Sequence, residues 1–311
     1  MIDTDTFLTT LYVIVDDFCK SERPVERPRP GPARSLTRSE VLTLVLFSQW
    51  HCFRNQRTFY RLAVRRLGAW FPQLPSREQF NRLMRTYYLD LVAFGNHLVR
   101  ELGAERALYE ILDTSGIPVR NVKRRGYGWL AGLANIGKCS RLGWYNGFRL
   151  LLAVTPEGVI TGFGFGSGSA KDQPLADVLL AARHADPAGR LPTVGPAAAS
   201  SIYLADKGFA GETTHARWRA EHHADVISEP QSHSTIVWPA EWQQWLHSHR
   251  QRIEAVFGAL IEFFRLGQDR PHELLGFQTN LAAKLGLHNF CIWINRQLGR
   301  NDLAFADLTD W

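Results

Sequence analysis

The chain has 311 residues, 45% apolar and 21% charged, ordinary globular values that exclude a disordered or fibrous protein. Lys and Arg number 36 against 30 Asp and Glu, so the formal net charge of +6 is modest and its placement matters more than its size. The apolar run from Val41 to Phe53 is too short to span a bilayer, and Cys19, Cys52, Cys139 and Cys291 form no CxxC pair, which argues against a disulfide framework or a zinc site. The opening MIDTDTF lacks the basic start of a signal peptide, so a cytoplasmic protein with no membrane partner is expected.

Phe7, Leu8, Leu11, Ile14, Val15 and Phe18 recur at helical spacing and predict a helix over 3–20. Pro24, Pro28, Pro30 and Pro32 forbid a helix through the connector that follows. Thr37 and Glu40 then stand at capping-box spacing ahead of an apolar run. A periodic stretch over 58–67 ends before Gly68, and Ser76 offers an N-cap with Gln79 at the third helical position. Residues 1–106 therefore read as helical.

The composition then changes. RALYEILDTSGIPV predicts a strand over 108–113 ended by a turn, and apolar runs over 148–154 and 158–165 flank a hairpin signal, Thr155-Pro156-Glu157-Gly158. A helix over 172–184, a strand over 201–206, a helix over 212–222, a strand over 224–228, and helices over 240–266 and 276–298 complete the chain. The pattern gives an α/β fold, a mixed sheet flanked by helices, with a domain boundary near residue 106.

Three carboxylates are placed for chemistry. Asp113 closes the first strand, Asp206 closes the strand over 201–206, and Glu254 lies inside a helix. Strand ends stand at the sheet edge, where ligands of open sheets bind. Two such aspartates and a glutamate from a covering helix suit two Mg²⁺ ions about 3.5–4 Å apart, with Mn²⁺ as a substitute. Oxygen ligands favour these hard cations over zinc. A lone strand-end Asp is more often a turn former or a cap, and the alternative reading of Glu254 is as no more than the i,i+4 partner of Arg250. Asp172 reads as the N-cap of its own helix and as a reserve ligand. The setting singles out the triplet, because a charge beside apolar strands or on a core helix is costly without a partner.

Asp113 in LDTSGIPV, Asp206 in YLADKGFAG, and Glu254 four residues after Arg250 resemble the DDE triad of bacterial insertion-sequence transposases, in particular insertion-sequence family 982. Arg124-Arg125 after the first Asp, the run from Trp144 to Leu150 (W-x-x-G-F-x-L), and the segments LTRSEVLTLVL, TFYRLAVRRL and FPQLPSREQFNRL are also similar. The wider group's Tyr-x-x-Arg-x-x-x-Glu-x-x-x-x-x-x-Lys signature is matched at Arg250 and Glu254, while His247 and Ile261 occupy its Tyr and Lys positions. Only 47 residues lie between Asp206 and Glu254, too few for the inserted β-domain of some relatives.

The resemblance implies a ribonuclease H-like DDE catalytic domain over 107–311 after a helical DNA-binding domain over 1–106. It also implies Mg²⁺-dependent cleavage of insertion-sequence terminal repeats, and transfer of 3′-hydroxyl strands to target DNA by a homodimer in the nucleoid. Asp113, Asp206 and Glu254 would be its catalytic and metal-binding residues. The rival readings are a non-catalytic DNA-binding regulator derived from a transposase and a structure-selective nuclease.

From Thr114 to Pro156 no residue is acidic, yet Arg120, Lys123, Arg124, Arg125, Lys138, Arg141 and Arg149 fall there. A stretch of this kind attracts a phosphate backbone, with Tyr127 and Trp129 available to stack on unpaired bases; the alternative is a solvated loop. Lys207, Arg250 and Arg252 lie beside the carboxylates in sequence and join the candidate DNA contacts. Eight arginines against Glu78 alone over 54–85 read either as a helical face laid on DNA or as a solvated one. The histidines at 215, 222, 223, 233, 247 and 249 lack metal-ligand spacing and read as surface residues.

Overall fold

A computed structural model describes residues 1–23, 35–50, 52–121, 130, 132–185, 200–231 and 234–310. The proline-rich connector and the segment holding Lys123, Arg124, Arg125, Tyr127 and Trp129 lie outside the described residues. The chain divides into two compact units, Met1–Leu98 with Glu262–Asp269 and Glu273–Trp311, and Val99–Ile261 with Arg270–His272.

The first unit is helical, with α1 (Thr4–Glu22), α2 (Arg38–Phe47), α3 (Gln56–Arg66), α4 (Arg77–Thr86), α5 (Tyr88–Glu101) and the late helix α9 (Leu274–Gln297). The capping boxes expected from spacing are present: Thr37 with Glu40 opens α2, and Ser76 with Gln79 opens α4. Most of α9 is buried from Phe277 to Asn295, and so it carries an apolar surface on every side. Phe7 packs on Trp50 and Phe290 at 5.5 and 5.4 Å between ring centres, and Trp50 packs on Phe264 at 5.3 Å.

His288 on α9 is fully buried between Phe264 and Phe305, at 6.1 and 5.3 Å between ring centres. Burial pushes its imidazole down to about 4, because the charged form has no water there. The unfolded chain takes up this proton from about pH 6.5 downward, whereas the folded chain holds it off until about pH 4. The stability this histidine contributes is therefore present above that window and lost on acidification through it, by about 3 kcal/mol at the acid end. In chemical denaturation series across the window, His288→Leu is expected to lose less stability on acidification than the wild type.

Among the described residues, the second unit is built on one mixed sheet of six strands: β1 (Glu110–Arg120), β2 (Asn135–Cys139), β3 (Gly143–Val154), β4 (Ile160–Ser167), β5 (Ile202–Ala205) and β6 (Asp225–Ser228). β3 runs antiparallel to β1 on one side and to β2 and β4 on the other; β5 pairs parallel with β1, and β6 parallel with β5. α6 (Asp172–His184), α7 (Glu212–His222) and α8 (Ala240–Glu262) complete the unit. Leu179, Leu180, Tyr203, Phe209 and Trp218 form the core between α6, α7 and the sheet.

The first strand corrects the expectation of a turn after Asp113. β1 continues through Thr-Ser-Gly-Ile-Pro to Arg120, paired with β3 throughout. Gly116 and Pro118, which read as turn residues, serve other ends. A Cβ on Gly116 would stand 2.7 Å from the Tyr145 ring, so this glycine permits a close approach. Pro118 sits where the β1–β3 register shifts, a position at which its missing N–H is tolerated. The polar edge strand β2 was not expected at all.

Candidate carboxylate site where β1 and β5 part

The parallel pairing of β1 with β5 ends at Leu112 opposite Ala205. The next residue of each strand is Asp113 and Asp206. β5 stops there, while β1 goes on beside β3 with Asp113 opposite Leu152. The two aspartates therefore stand next to each other where two strands part, the place in an open sheet where ligands are received.

Each aspartate commits one oxygen to the chain itself. Asp113 Oδ1 accepts from the Thr114 N–H at 2.7 Å, and Asp206 Oδ1 accepts from the Gly208 N–H at 2.7 Å, capping the helical turn Lys207–Phe209. Their other oxygens face one guanidinium: Arg250 Nη2 on α8 lies 3.6 Å from Asp113 Oδ2 and 4.0 Å from Asp206 Oδ2. Burial raises the Asp113 carboxyl to about 7; the nearby charges of Asp206 and Asp172 act in the same direction, and Arg250 and the Thr114 N–H oppose them.

Asp172 corrects a second expectation. It opens α6 but does not cap it: Lys171 is the N-cap residue, with no side-chain capping bond. Asp172 Oδ1 instead accepts from Thr114 Oγ1 at 2.7 Å and from Arg149 Nη1 at 2.8 Å, on the neighbouring strands. The charged guanidinium is the stronger partner, and it draws the carboxylate toward the sheet. A Cβ on Gly208 would lie 2.5 Å from Asp172 Oδ2 and 2.9 Å from Asp206 Oδ1, so the glycine leaves room for two carboxylates to approach.

Glu254 is exposed, one turn beyond Arg250 on the same face of α8. Among the described residues no hydrogen bond or ion pair joins it to Asp113 or Asp206, and no three His, Cys, Asp or Glu side chains are placed to hold one metal ion together. The donors at the strand ends are all carboxylate oxygens, and the counter-ion they share approaches no closer than 3.6 Å. Such a pair fits a hard divalent cation such as Mg²⁺ or Mn²⁺ and not zinc.

Lys207 is exposed on the turn after Asp206. Lys138 is exposed on β2, with its ammonium 5.6 Å from the Trp144 ring centre. Arg141 donates to the Gly116 carbonyl at 2.9 Å and so is tied to β1. Arg252 lines a groove of about 450 Å³ with Tyr109, Pro156 and His249. Sequence reasoning gave Thr114 and Gly208 no role and counted Arg149 only as one of seven positive charges. The signal for Arg149 was its place as the lone charge in FRLLLAV, since a charge inside an apolar strand demands a partner.

No described helix is long and apolar enough to cross a membrane. No curated protein and no solved structure matches the chain. A family model described as the transposase DDE domain matches residues 111–290, more than half of the chain, a span that opens two residues before Asp113 and includes Asp206 and Glu254. The chain belongs to the transposase DDE domain family, the DNA-binding nucleases and strand transferases of DNA transposition.

Proposed function

We propose that this chain is the transposase of an insertion sequence related to family 982, cutting the element's ends and joining the freed 3′-hydroxyls to target DNA. The observation that carries the proposal is the side-by-side placement of Asp113 and Asp206 beyond the last β1–β5 pair, facing Arg250. Asp113, Asp206 and Glu254, with Asp172 in reserve, would hold Mg²⁺ or Mn²⁺. When bound, these ions activate an attacking oxygen and stabilise the leaving one. Arg250, Arg252 and Lys207 hold the phosphate backbone, and Arg149 fixes Asp172. No Ser, Tyr or Cys nucleophile is required.

In this reading the sheet unit is a ribonuclease H-like catalytic domain, supported by a mixed sheet in which Asp113 and Asp206 stand where the paired strands β1 and β5 part. The proposed domains run 1–106 for DNA binding and 107–311 for catalysis, although Glu262–Asp269 and Glu273–Trp311 belong to the compact helical unit. The exposure of Arg57, Arg61, Arg65 and Arg66 on α3 supports DNA contact by the helical part. An element has two ends to join, which a two-fold dimer holding one end per subunit accomplishes most simply. Mapping nicks after incubating the protein with Mg²⁺ and the DNA flanking its own gene tests the function. Strand-transfer products support a transposase, and nicks without them favour the structure-selective nuclease.

Binding through phosphates weakens linearly with log salt, with a slope of about −0.9 per neutralised phosphate on duplex DNA. Replacing Lys123, Arg124 and Arg125 together with Ala is expected to lower affinity for all sequences and to flatten that slope by about 0.9 for each phosphate these side chains had neutralised. An unchanged slope makes the basic stretch a solvated loop.

A further inference from the structure

Arg250 occupies the space between the two carboxylates that, in the proposed function, a cation would share. Oδ1 of each aspartate is committed to a backbone N–H, so Oδ2 is the free oxygen, and both Oδ2 atoms face the same guanidinium nitrogen. At 3.6 and 4.0 Å neither contact has the length of a hydrogen bond. Arg250 Nε is buried with no hydrogen-bond partner among the described residues. The guanidinium is thus mostly shielded from water, with one nitrogen buried and unpaired and its contacts to both carboxylates long, a loosely held counter-ion.

We propose that Arg250 is a resident counter-ion that must leave Asp113 and Asp206 before a divalent cation binds there, and that a DNA phosphate takes it away. The inference rests on the reading of these aspartates as a metal site. A guanidinium and a divalent cation cannot both sit against the same two oxygens, because like charges at such spacing repel strongly in a partly buried site. Two ionised carboxylates facing the same point are held best by a shared positive charge, and without DNA that charge is Arg250. A phosphodiester offers the guanidinium two oxygens in a matching fork and satisfies donors that the carboxylates leave unpaired. Once the arginine has moved, the two Oδ2 atoms are open to the metal. By linkage, DNA then raises metal affinity, and metal raises DNA affinity by the same factor. The DNA-free chain carries little metal, and the site assembles on its substrate.

The test is Mn²⁺ binding by the full chain, read as free Mn²⁺ by electron paramagnetic resonance. Without DNA, Arg250→Gln is expected to bind Mn²⁺ about tenfold or more tighter than the wild type, because a competing charge is gone. Arg250→Lys keeps the charge and stays weak. A nonspecific duplex, which binds through its phosphates, tightens Mn²⁺ binding in the wild type and far less in Arg250→Gln. Equal or weaker binding by Arg250→Gln overturns the exchange, as does the same tightening by DNA in both proteins. Asp113→Asn and Asp206→Asn separate the two levels of the argument: if neither weakens Mn²⁺ binding, the metal-site reading itself fails and the exchange falls with it. Should Arg250→Gln not fold, a wild type whose Mn²⁺ affinity does not rise with DNA is sufficient to overturn the proposal.

Discussion

Asp113→Ala and Asp206→Ala proteins are expected to retain end-DNA binding in metal-free buffer and, with Mg²⁺, to nick that DNA more slowly by a factor on the order of 10³ or greater. The reason is positional. Both carboxylates stand beyond the last residues paired between β1 and β5, and neither belongs to the hydrophobic core. Burial and the neighbouring charge of Asp206 already oppose ionisation of Asp113, so removing it relieves strain in the folded state. The melting temperature of Asp113→Ala should be unchanged or raised, as for a residue kept for activity at the expense of stability. Loss of nicking with an intact melt therefore marks chemistry, and a near-normal nicking rate ends the proposal. Glu254→Ala and Asp172→Ala decide which acid is the third. Glu254 follows Arg250 by one turn, whereas Asp172 already touches Thr114 and approaches Asp206 around Gly208. The variant that stops nicking names the residue.

Local signals were legible from the sequence where the physics is local. Thr37 with Glu40 and Ser76 with Gln79 bond their own helix starts, and a spacing of three residues is enough to see this. α6 and α7 begin and end where periodicity put them. The Thr155-to-Gly158 turn is equally local, because Gly158 at φ +94° adopts a conformation that favours glycine. The failures are all long-range. Gly116 is a glycine because Tyr145 lies over it, and Asp172 turns from its helix because Arg149 and Thr114 arrive from other strands. β2 reads as polar because, among the described residues, it pairs on one side only, with β3, so little of it needs to be apolar. Asp113 and Asp206 were expected at two adjacent strand ends; they do lie on neighbouring strands, but only β5 ends there, and β1 runs on past Asp113. Arg250 was foreseen on the helix next to them, but nothing in the sequence says that one of its nitrogens faces both.

The largest loss of stability is expected from the ion pair beneath this site. Arg183 on α6 donates to Glu110 on β1 at 2.6 Å, and both side chains are fully buried. Thr161 on β4 donates to the other oxygen of Glu110, and Tyr203 on β5 stands directly opposite Glu110 in the parallel register. A Cβ on Gly162 would lie 2.8 Å from Arg183 Nη2, so the guanidinium lies against a gap in the side chains of β4. Breaking a buried pair leaves an unpaired charge, which costs about 3–5 kcal/mol. Arg183→Met is expected to lose about that much in chemical denaturation, and Glu110→Leu in the same protein should recover much of it, because no charge then remains unpaired. A loss below about 1 kcal/mol would show that the pair supports nothing. The consequence reaches the carboxylates, because α6 is tied to β1 at both ends: by the Arg183–Glu110 ion pair at one and by the hydrogen bond that Thr114 donates to Asp172 at the other. Releasing the lower tie should loosen the helix that carries Asp172, so Arg183→Met should also lower Mn²⁺ affinity at temperatures where the protein is still folded. The Glu110→Leu/Arg183→Met double variant should regain stability before it regains metal affinity, since apolar packing restores the core without restoring the directional bond that sets the height of α6 against β1.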